Sequence, residues 1–255
     1  MIKNFLKRQS DTFSTKKFHF STNRKNLKEY IRINQNFNGK LLDLFTSENN
    51  SFYINKWHHY LPIYEKYFSN YLNRGINFLE IGVADGGSLE MWSNYFSSNS
   101  NIFGIDINKD CKNFETQNIH ILIGDATDKN YLKNNLFSQV DEFDIILDDG
   151  SHKMKDILNS FEHLYPKLKI GGLYVIEDLH TSYWPKFGGG LNNKNNFFNM
   201  VRKIIDDMHF DFHNKKTFNS VVEETGYALH IYNSILIIEK KNKTDLKFSN
   251  TKFLK

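Results

Sequence analysis

The sequence predicts an α/β protein in which helices cover both faces of a mostly parallel seven-stranded sheet. From residue 76 onward, short apolar strands alternate with helical segments, and a strand pair follows them near the end of the chain. Alternation of strand and helix is typical of parallel sheets, whose ligands bind beyond the carboxyl ends of the strands. Because acidic residues follow several of these strands where they end, the sequence predicts a functional site at that edge.

The individual elements follow from apolar runs and from apolar residues spaced three and four apart. The predicted strands are residues 76–81, 102–107, 119–123, 143–147, 173–176, 228–232 and 234–239. The predicted helices around them are residues 88–96, 131–137, 153–168 and 197–208. Gly171 and Gly172 are expected to end the third of these helices, because glycine is common just past the last helical turn.

Residues 1–50 are rich in Lys, Asn and Ser and have weak periodicity, so we expect a partly structured N-terminal extension before a domain formed by residues 51–255. Short helices are expected at residues 27–33 and 41–45. Aromatic side chains in residues 53–71 recur every three or four positions, which predicts one face of an amphipathic helix. They are Trp57, Tyr60, Tyr64, Tyr67, Phe68 and Tyr71.

Composition argues against several classes of partner and location. The net charge of +4 is mild, and Lys and Arg form no stripe with interleaved aromatic residues, so no nucleic-acid partner is expected. The single cysteine, Cys111, cannot form an intramolecular disulfide and fits a reducing compartment. No apolar run approaches the ~20 residues of a membrane span, and the N-terminus lacks the apolar core of a secretory signal. We therefore expect a cytoplasmic protein, with homo-oligomerisation left open.

A glycine-rich turn follows the first strand and indicates a bound cofactor. Residues 82–88 join this strand to the next helix, and glycine there lets the backbone approach a ligand closely. Asp106 ends the second strand, where a carboxylate can accept hydrogen bonds from both hydroxyls of a ribose. The turn and this acid together are typical of a Rossmann-like fold, while a plain tight connection is the alternative for the turn alone.

The chemistry of the turn favours S-adenosylmethionine over a nicotinamide dinucleotide. Ala84 stands where the dinucleotide fingerprint has its second glycine, and Asp85 disfavours a phosphate at the start of the helix. A sulfonium ligand carries positive charge and no phosphate, so it tolerates that acid. Asp125, after the third strand, is either an acceptor for the adenine amino group or a turn residue beside Gly124.

Acidic residues also follow the fourth and fifth strands. Asp149 follows one strand and Glu177 and Asp178 follow the next, and a right-handed crossover is expected to place these strands side by side. Three carboxylates at one edge repel one another unless a cation compensates them, and an all-oxygen set suits Mg²⁺. The alternative is that one acidic motif forms only a turn and the other only a helix cap.

Six short segments carry a resemblance to a known family. They are residues 56–60 (Lys-Trp-His-His-Tyr), 80–83 (Glu-Ile-Gly-Val), 86–88 (Gly-Gly-Ser), 104–106 (Gly-Ile-Asp), 147–152 (Leu-Asp-Asp-Gly-Ser-His) and 171–184, which begins Gly-Gly-Leu-Tyr-Val-Ile-Glu-Asp-Leu-His. With these motifs the chain resembles the metal-dependent sugar O-methyltransferases of macrolide biosynthesis, such as the mycinamicin enzymes. The resemblance covers residues 52–190 well and the C-terminal strands loosely, but not residues 1–50.

The resemblance implies a class I methyltransferase domain in residues 51–255, with S-adenosylmethionine and Mg²⁺ as cofactors and Asp149, Glu177 and Asp178 as metal ligands. Asp148 is then expected either to face S-adenosylmethionine or to stabilise its loop. The full set expected to bind this cofactor is Glu80, Gly82, Ser88, Asp106, Asp125, Ala126 and Asp148. The acceptor pocket is expected to include His58, His59, Tyr60, His180, Tyr183 and Trp184, with ordinary packing as the alternative.

His152 is the expected general base, acting beside Asp149. It follows Asp149 by three residues in the loop after the fourth strand, so we expect it to lie beside the metal site. Imidazole is the side chain best suited to accepting a proton near neutral pH. The alternative is that Ser151 and His152 only open the next helix.

The expected function is transfer of a methyl group to a sugar hydroxyl, on a nucleotide-activated sugar, a surface polysaccharide unit or a glycosylated small molecule. The alternatives are a nicotinamide-dependent oxidoreductase, a non-catalytic cofactor-binding module and a nucleic-acid methyltransferase. The glycine turn argues against the first, the acidic set with His152 against the second, and the mild charge against the third.

Overall fold

A seven-stranded sheet forms the centre of the computed structural model, which describes residues 24–213, 220–244 and 247–249. The strands are β1 (Asn77–Ile81), β2 (Asn101–Asp106), β3 (Ile119–Ile123), β4 (Phe143–Asp148), β5 (Leu168–Ile176), β6 (Gly226–Tyr232) and β7 (Ile235–Lys240). Their order is β3-β2-β1-β4-β5-β7-β6, with β1 to β5 parallel and β7 antiparallel to both of its neighbours. The predicted mostly parallel sheet is therefore confirmed. Strand addition reverses direction between β1 and β4, the point where such sheets bind ligands.

Helices flank the sheet in the predicted alternation. They are α1 (Arg24–Asn34), α2 (Lys40–Phe45), α3 (Tyr60–Phe68), α4 (Gly87–Tyr95), α5 (Lys129–Tyr131), α6 (Met154–Leu164), α7 (Phe197–Met208) and α8 (Ser220–Thr225). The helix predicted over 131–137 is α5 followed by a π-helical turn at Leu132–Leu136. Within the described residues, no helix is both long and apolar enough to cross a membrane.

The predicted N-terminal extension is only partly described. Its two predicted helices are present as α1 and α2, and Leu41 of α2 is buried in the cluster that α3 and α4 form against the sheet. Residues 1–23 lie outside the described part of the chain, and the domain boundary at residue 50 stays a prediction.

Apolar side chains fill both faces of the sheet. Successive residues of a strand point to opposite faces: in β1, Phe78 packs with α3 and α4, and Leu79 packs with α6 and α7. β4 is buried along its whole length, as expected of a central parallel strand. Because each fully buried apolar side chain contributes about 1.5–3 kcal/mol, these two clusters stabilise the sheet and leave its carboxyl edge free for polar residues.

The helix predicted over 153–168 is shorter than expected. α6 ends at Leu164, and a 3-10 turn leads directly into β5. Pro166 lies in this turn, where it lacks the backbone N–H that would continue the helix. Gly171 and Gly172 consequently lie inside β5, beside a register shift in its pairing with β4, and the prediction that they end a helix is wrong.

The helix predicted over 53–71 begins only at Tyr60. The preceding residues are not helical, and Tyr53 forms an isolated bridge with Gly86 of the glycine-rich turn. Trp57 fits the aromatic spacing but lies before the helix and is only half-buried, so the spacing does not show where the helix starts. The non-helical segment carries Lys56 and Trp57 to the carboxyl edge of the sheet.

Gly82, directly after β1, occupies a position that only glycine fits. Its φ is 93°, and a Cβ atom there would lie 2.2 Å from the carbonyl oxygen of Asp149. We expect Gly82→Ala to lower the free energy of unfolding by more than the about 1–3 kcal/mol of backbone strain alone. Gly171→Ala is the matched control, since Gly171 has a φ of 83° but open space around its Cβ. Urea unfolding measures both variants, and equal losses would contradict the predicted collision.

Candidate active site

The turn after β1 is held by Asp106, at the end of β2. The Oδ2 atom of Asp106 accepts hydrogen bonds from the backbone N–H groups of Val83 (2.9 Å) and Ala84 (3.1 Å), and Oδ1 accepts one from Asn108 (2.8 Å). A carboxylate offers about four lone-pair sites. Asp106 therefore both shapes the turn and keeps capacity for one further donor, such as a ribose hydroxyl.

Glu80 and Ser88, both predicted to bind the cofactor, are bonded to each other. The Ser88 hydroxyl donates to Oε2 of Glu80 at 2.8 Å, and the Lys56 Nζ atom donates to Oε1 at 3.1 Å. Glu80 is fully buried, and this burial raises the pKa of its carboxyl, while the Lys56 ammonium opposes the rise. Glu80 thus connects the glycine-rich turn with the acidic residues that follow β4 and β5.

The remaining predicted cofactor residues differ in exposure. Asp125 is exposed, and its Oδ1 atom accepts a hydrogen bond from the backbone N–H of Thr127 at 2.8 Å, which is the turn geometry that the sequence leaves as an alternative. Ala126 is buried. Asp148 is buried and accepts a hydrogen bond from the Ser160 hydroxyl of α6, and burial raises its pKa to about 6. These contacts support the loop-stabilising role of Asp148.

Four carboxylates and one buried lysine meet at the carboxyl ends of β1, β4 and β5. The Lys56 Nζ atom lies 3.1 Å from Glu80, 2.6 Å from Asp149 and 2.7 Å from Glu177, and the Lys56 side chain is only 1% exposed. Asp178 completes the group. Burial by itself would lower the pKa of Lys56, but its three carboxylate partners raise that pKa well above its usual value, so the lysine stays charged.

Glu177 lies on the inner side of this acidic cluster. Its carboxylate accepts hydrogen bonds from Lys56 and from the Tyr64 hydroxyl, and its side chain is 2% exposed. Burial raises the pKa of Glu177 well above its usual value, the charge of Asp149 adds to this, and Lys56 opposes it. Four carboxylates with one ammonium among them leave negative charge in excess, so a further cation would be stabilised there.

The outer side of the cluster brings Asp149, His152 and Asp178 together. The His152 Nε2 atom lies 3.7 Å from Asp149 Oδ1 and 3.8 Å from Asp178 Oδ2, and one donor atom of each residue lies within 4.8 Å of the others. Lys56 contacts the other oxygen of Asp149. Carboxylate oxygens at such separations suit a divalent cation. The predicted ligands Asp149 and Asp178 therefore meet, whereas Glu177 is turned toward Lys56.

Asp178 and His152 are fixed by strained backbone and by surrounding hydrogen bonds. The Asp178 Oδ1 atom accepts hydrogen bonds from the Trp57 indole (3.0 Å) and the Tyr60 hydroxyl (2.9 Å). Both residues are in the left-handed region, with φ of 55° for Asp178 and 56° for His152. The carbonyl of His152 accepts a hydrogen bond from Thr181. Strain of this kind persists only where neighbouring contacts hold it, so both side chains are held in fixed positions.

The turn between β6 and β7 contacts three residues of the predicted acceptor pocket. The His59 Nε2 atom lies 2.9 Å from the Asn233 carbonyl, the Tyr60 hydroxyl oxygen lies 3.0 Å from the Ser234 carbonyl oxygen, and the His180 Nδ1 atom lies 2.6 Å from the Ser234 hydroxyl. Burial lowers the pKa of His180, which favours a neutral ring. Tyr60 is fully buried, so its hydroxyl supports the acidic cluster and does not face an open pocket.

The other predicted pocket residues separate into two groups. His58 packs edge-on against Tyr30 of α1 with ring centroids 5.9 Å apart, and burial lowers its pKa. The Trp184 ring packs on His180 at 4.8 Å, and the exposed Tyr183 ring packs against α7. His180 and Trp184 are therefore close together, and His58 lies toward the N-terminal helices. The assignments to an acceptor pocket stay predictions.

Sequence reasoning missed four residues of the site: Lys56, Trp57, Tyr64 and Ser234. The first three lie in the aromatic segment, whose spacing predicts only a helix face, and Ser234 is predicted only as part of a hairpin. A charge argument could have found Lys56, because buried carboxylates at neighbouring strand ends require a buried cation. No comparable signal in the sequence marks Ser234.

Comparison with known proteins places this chain in a family. A family model described as a methyltransferase domain matches residues 79–179. Demethylmacrocin O-methyltransferase of Streptomyces fradiae is 36% identical over 204 residues, covering 72% of this chain and 50% of that enzyme. Mycinamicin VI 2''-O-methyltransferase of Micromonospora griseorubida is 33% identical over 195 residues, covering 72% of this chain and 48% of that enzyme. The solved structure of MycE methyltransferase from the mycinamycin biosynthetic pathway, in complex with Mg and SAH, is 31% identical with a TM-score of 0.68, covering 74% of this chain and 50% of that one.

The fold and the domain match define a class I methyltransferase domain, the kind that uses S-adenosylmethionine. The chain belongs to the family of sugar O-methyltransferases that includes the demethylmacrocin and mycinamicin enzymes, so the resemblance predicted from the motifs is confirmed. The chain spans about half the length of the relatives it matches.

Tyr60→Phe tests whether the buried hydroxyl positions Asp178. We expect this variant to lower the free energy of unfolding by about 1–3 kcal/mol, since the Asp178 carboxylate loses a donor and its backbone N–H loses an acceptor. Urea unfolding gives the measurement, with the exposed Tyr53→Phe as the control. Unchanged stability in Tyr60→Phe would show that the hydroxyl does not hold Asp178.

Proposed function

We propose that this chain transfers the methyl group of S-adenosylmethionine to a hydroxyl of a sugar. The observation that carries the proposal is the convergence of Asp149 Oδ1, Asp178 Oδ2 and His152 Nε2 at one edge of the sheet, with the turn after β1 at the same edge. A methyl donor bound at that turn would lie beside an acidic site that contains a base. Such a base is what a poor nucleophile such as a sugar hydroxyl needs.

The cofactor side of the proposal rests on the turn and on Asp106. We assign S-adenosylmethionine to the residues predicted from the sequence: Glu80, Gly82, Ser88, Asp106, Asp125, Ala126 and Asp148. Asp106 has capacity for a ribose hydroxyl beyond its three backbone bonds. Ala84 is exposed and in the left-handed region, so the turn is open to a ligand.

For the metal side, Asp149 and Asp178 would hold a divalent cation, which we propose to be Mg²⁺ because the two outward carboxylate oxygens are hard donors. Glu177 would act from the inner side, either as a third ligand or through the charge that it shares with Lys56. When bound, the cation would lower the pKa of a coordinated sugar hydroxyl. The fit supports the cation, since four carboxylates share the single ammonium of Lys56 at this edge.

His152 would then accept the proton of the sugar hydroxyl. Its Nε2 atom lies beyond hydrogen-bond distance of both carboxylates, at 3.7 and 3.8 Å, so it can accept a proton from a third group. In the transfer the oxygen–methyl bond forms, the sulfur–methyl bond breaks, the proton moves to His152 and neutral S-adenosylhomocysteine leaves. The imidazolium that results would face Asp149 and Asp178, whose negative charges stabilise it.

The acceptor that we favour is a sugar already attached to a small molecule. The relatives named above modify demethylmacrocin and mycinamicin VI, according to their names. The centroid of the His180 ring lies 5.7 Å from that of Trp57 and 4.8 Å from that of Trp184, and such aromatic surfaces suit the faces of sugars. A nucleotide-activated sugar and a polysaccharide unit are the other acceptors to be compared.

Methyl transfer to a panel of acceptors tests the function. We expect methylation of a sugar hydroxyl on a glycosylated polyketide when S-adenosylmethionine and Mg²⁺ are present, and loss of the activity in EDTA that Mg²⁺ reverses. A nucleotide sugar and an oligosaccharide serve as the comparison acceptors, with product identified by mass spectrometry. Full activity in a metal-stripped sample would refute the proposed role of the divalent cation. If S-adenosylmethionine binds but none of the three acceptors is methylated, the proposal of a sugar acceptor is refuted.

His152→Ala tests the general base. We expect kcat to fall by about 10²–10⁴, the usual scale for loss of a general base, while the affinity for S-adenosylmethionine and the Tm change little. His163→Ala, on α6, is the control for loss of an imidazole. Mn²⁺ binding separates the base from a ligand: a base leaves the affinity unchanged, whereas a ligand lowers it. Near-normal kcat in His152→Ala would place the base elsewhere.

A further inference from the structure

Lys56 is a lysine enclosed by carboxylates from three strands. Its ammonium has three donors, and each carboxylate partner accepts one: Glu80 at the end of β1, Asp149 after β4 and Glu177 after β5. The Lys56 side chain is 1% exposed, so solvent screens these contacts little. The positive charge of Lys56 therefore reduces the negative potential of the site as a permanently bound cation would.

The charge of the cluster is unbalanced even with Lys56 in place. Glu80, Asp149, Glu177 and Asp178 supply four carboxylates, and Lys56 supplies one ammonium. A charge in a buried site changes the potential at neighbouring atoms far more than one at the surface. The negative potential that attracts a divalent cation is thus set by the carboxylates and reduced by Lys56.

Asp149 is where the lysine and the proposed cation would meet. Its Oδ2 atom accepts the hydrogen bond from Lys56 at 2.6 Å, while its Oδ1 atom faces His152 and the outward oxygen of Asp178. One carboxylate is thus divided between an inner and an outer partner. The bond to Lys56 fixes the orientation in which Asp149 presents its other oxygen.

We propose that Lys56 is a fixed counter-ion and positioning residue that sets the affinity of the Asp149–Asp178 site for its divalent cation. The inference rests on the proposed function, because the cation belongs to it. Lys56 holds Asp149 in place and neutralises part of the inner charge, so that the cation binds reversibly beside His152. Glu80 contacts the lysine but not the outward oxygens, and its negative charge raises the affinity for the cation, whereas the positive charge of Lys56 lowers it.

This role predicts opposite effects for two substitutions that leave the outward oxygens intact. Lys56→Met removes a positive charge, so the cation should bind at least about tenfold more tightly. Glu80→Gln removes a negative charge and leaves Lys56 to act on fewer carboxylates, so the cation should bind a few-fold more weakly, roughly threefold or more. A lysine with only a structural role gives neither pattern, since its loss would disorder Asp149 and weaken binding.

The experiment measures Mn²⁺ binding by electron paramagnetic resonance of free Mn²⁺, with the full chain and without S-adenosylmethionine. Four proteins are compared: the wild type, Lys56→Met, Glu80→Gln, and Lys133→Met, which removes an exposed lysine from the π-helical turn after α5. We expect Lys56→Met to bind Mn²⁺ most tightly and Glu80→Gln to bind it most weakly. The wild type and Lys133→Met should bind it equally, with an affinity between these two. Thermal unfolding in EDTA should show Lys56→Met to be the least stable, and Mn²⁺ should raise its Tm more than that of the wild type.

Each outcome decides the inference. Equal or weaker Mn²⁺ binding by Lys56→Met overturns it, and so does Glu80→Gln binding as tightly as the wild type. If Lys56→Met does not fold, Glu80→Gln decides alone, because it is isosteric and leaves the lysine in place. If the wild type itself binds no Mn²⁺, the proposed cation fails together with this inference, and that result is distinct from failure of the variants alone.

Discussion

The site depends on one buried ammonium that lets carboxylates from neighbouring strands coexist. Parallel strands bring their carboxyl ends to one edge, and there Glu80, Asp149 and Glu177 would repel one another without Lys56 between them. Removing one partner of a buried ion pair typically costs about 3–5 kcal/mol, so this contact constrains the whole edge. It also divides the cluster into an inner part that Lys56 neutralises and an outer part, with Asp178, that a second cation can bind.

Irregular segments bring the functional side chains to this edge. The segment before α3 delivers Lys56, the turn between β6 and β7 holds His180 and Tyr60, and the turn after β1 rests on Asp106. Four of the five described non-glycine residues with positive φ lie in these segments or beside the acidic cluster: Ala84, His152, Asp178 and Ser234. Strained backbone in such positions is held by the surrounding contacts, which is how loops place side chains as firmly as strands do.

The sequence predicted the sheet well because apolar strands and glycine turns are local signals. Charge at the strand ends likewise predicted that Asp149 and Asp178 would meet. The ends of the helices were harder to predict. Pro166, and not the later glycines, follows the end of α6, and Trp57 keeps the aromatic spacing although the helix begins only at Tyr60. Which carboxylate faces inward depends on its contact with Lys56. For Glu177, this contact joins residues 121 positions apart in the chain. Such contacts arise from packing between distant segments, so no regular spacing of residues in the sequence predicts them.

A divalent cation on the outward oxygens is tested most directly by anomalous diffraction at the manganese edge from crystals grown with Mn²⁺. We predict one strong peak within about 2–2.5 Å of Asp149 Oδ1 and Asp178 Oδ2, with the Lys56 ammonium still bonded to the other oxygen of Asp149. A peak that replaces the Lys56 ammonium, or no peak between Asp149 and Asp178, would contradict the division of the cluster into an inner lysine site and an outer cation site.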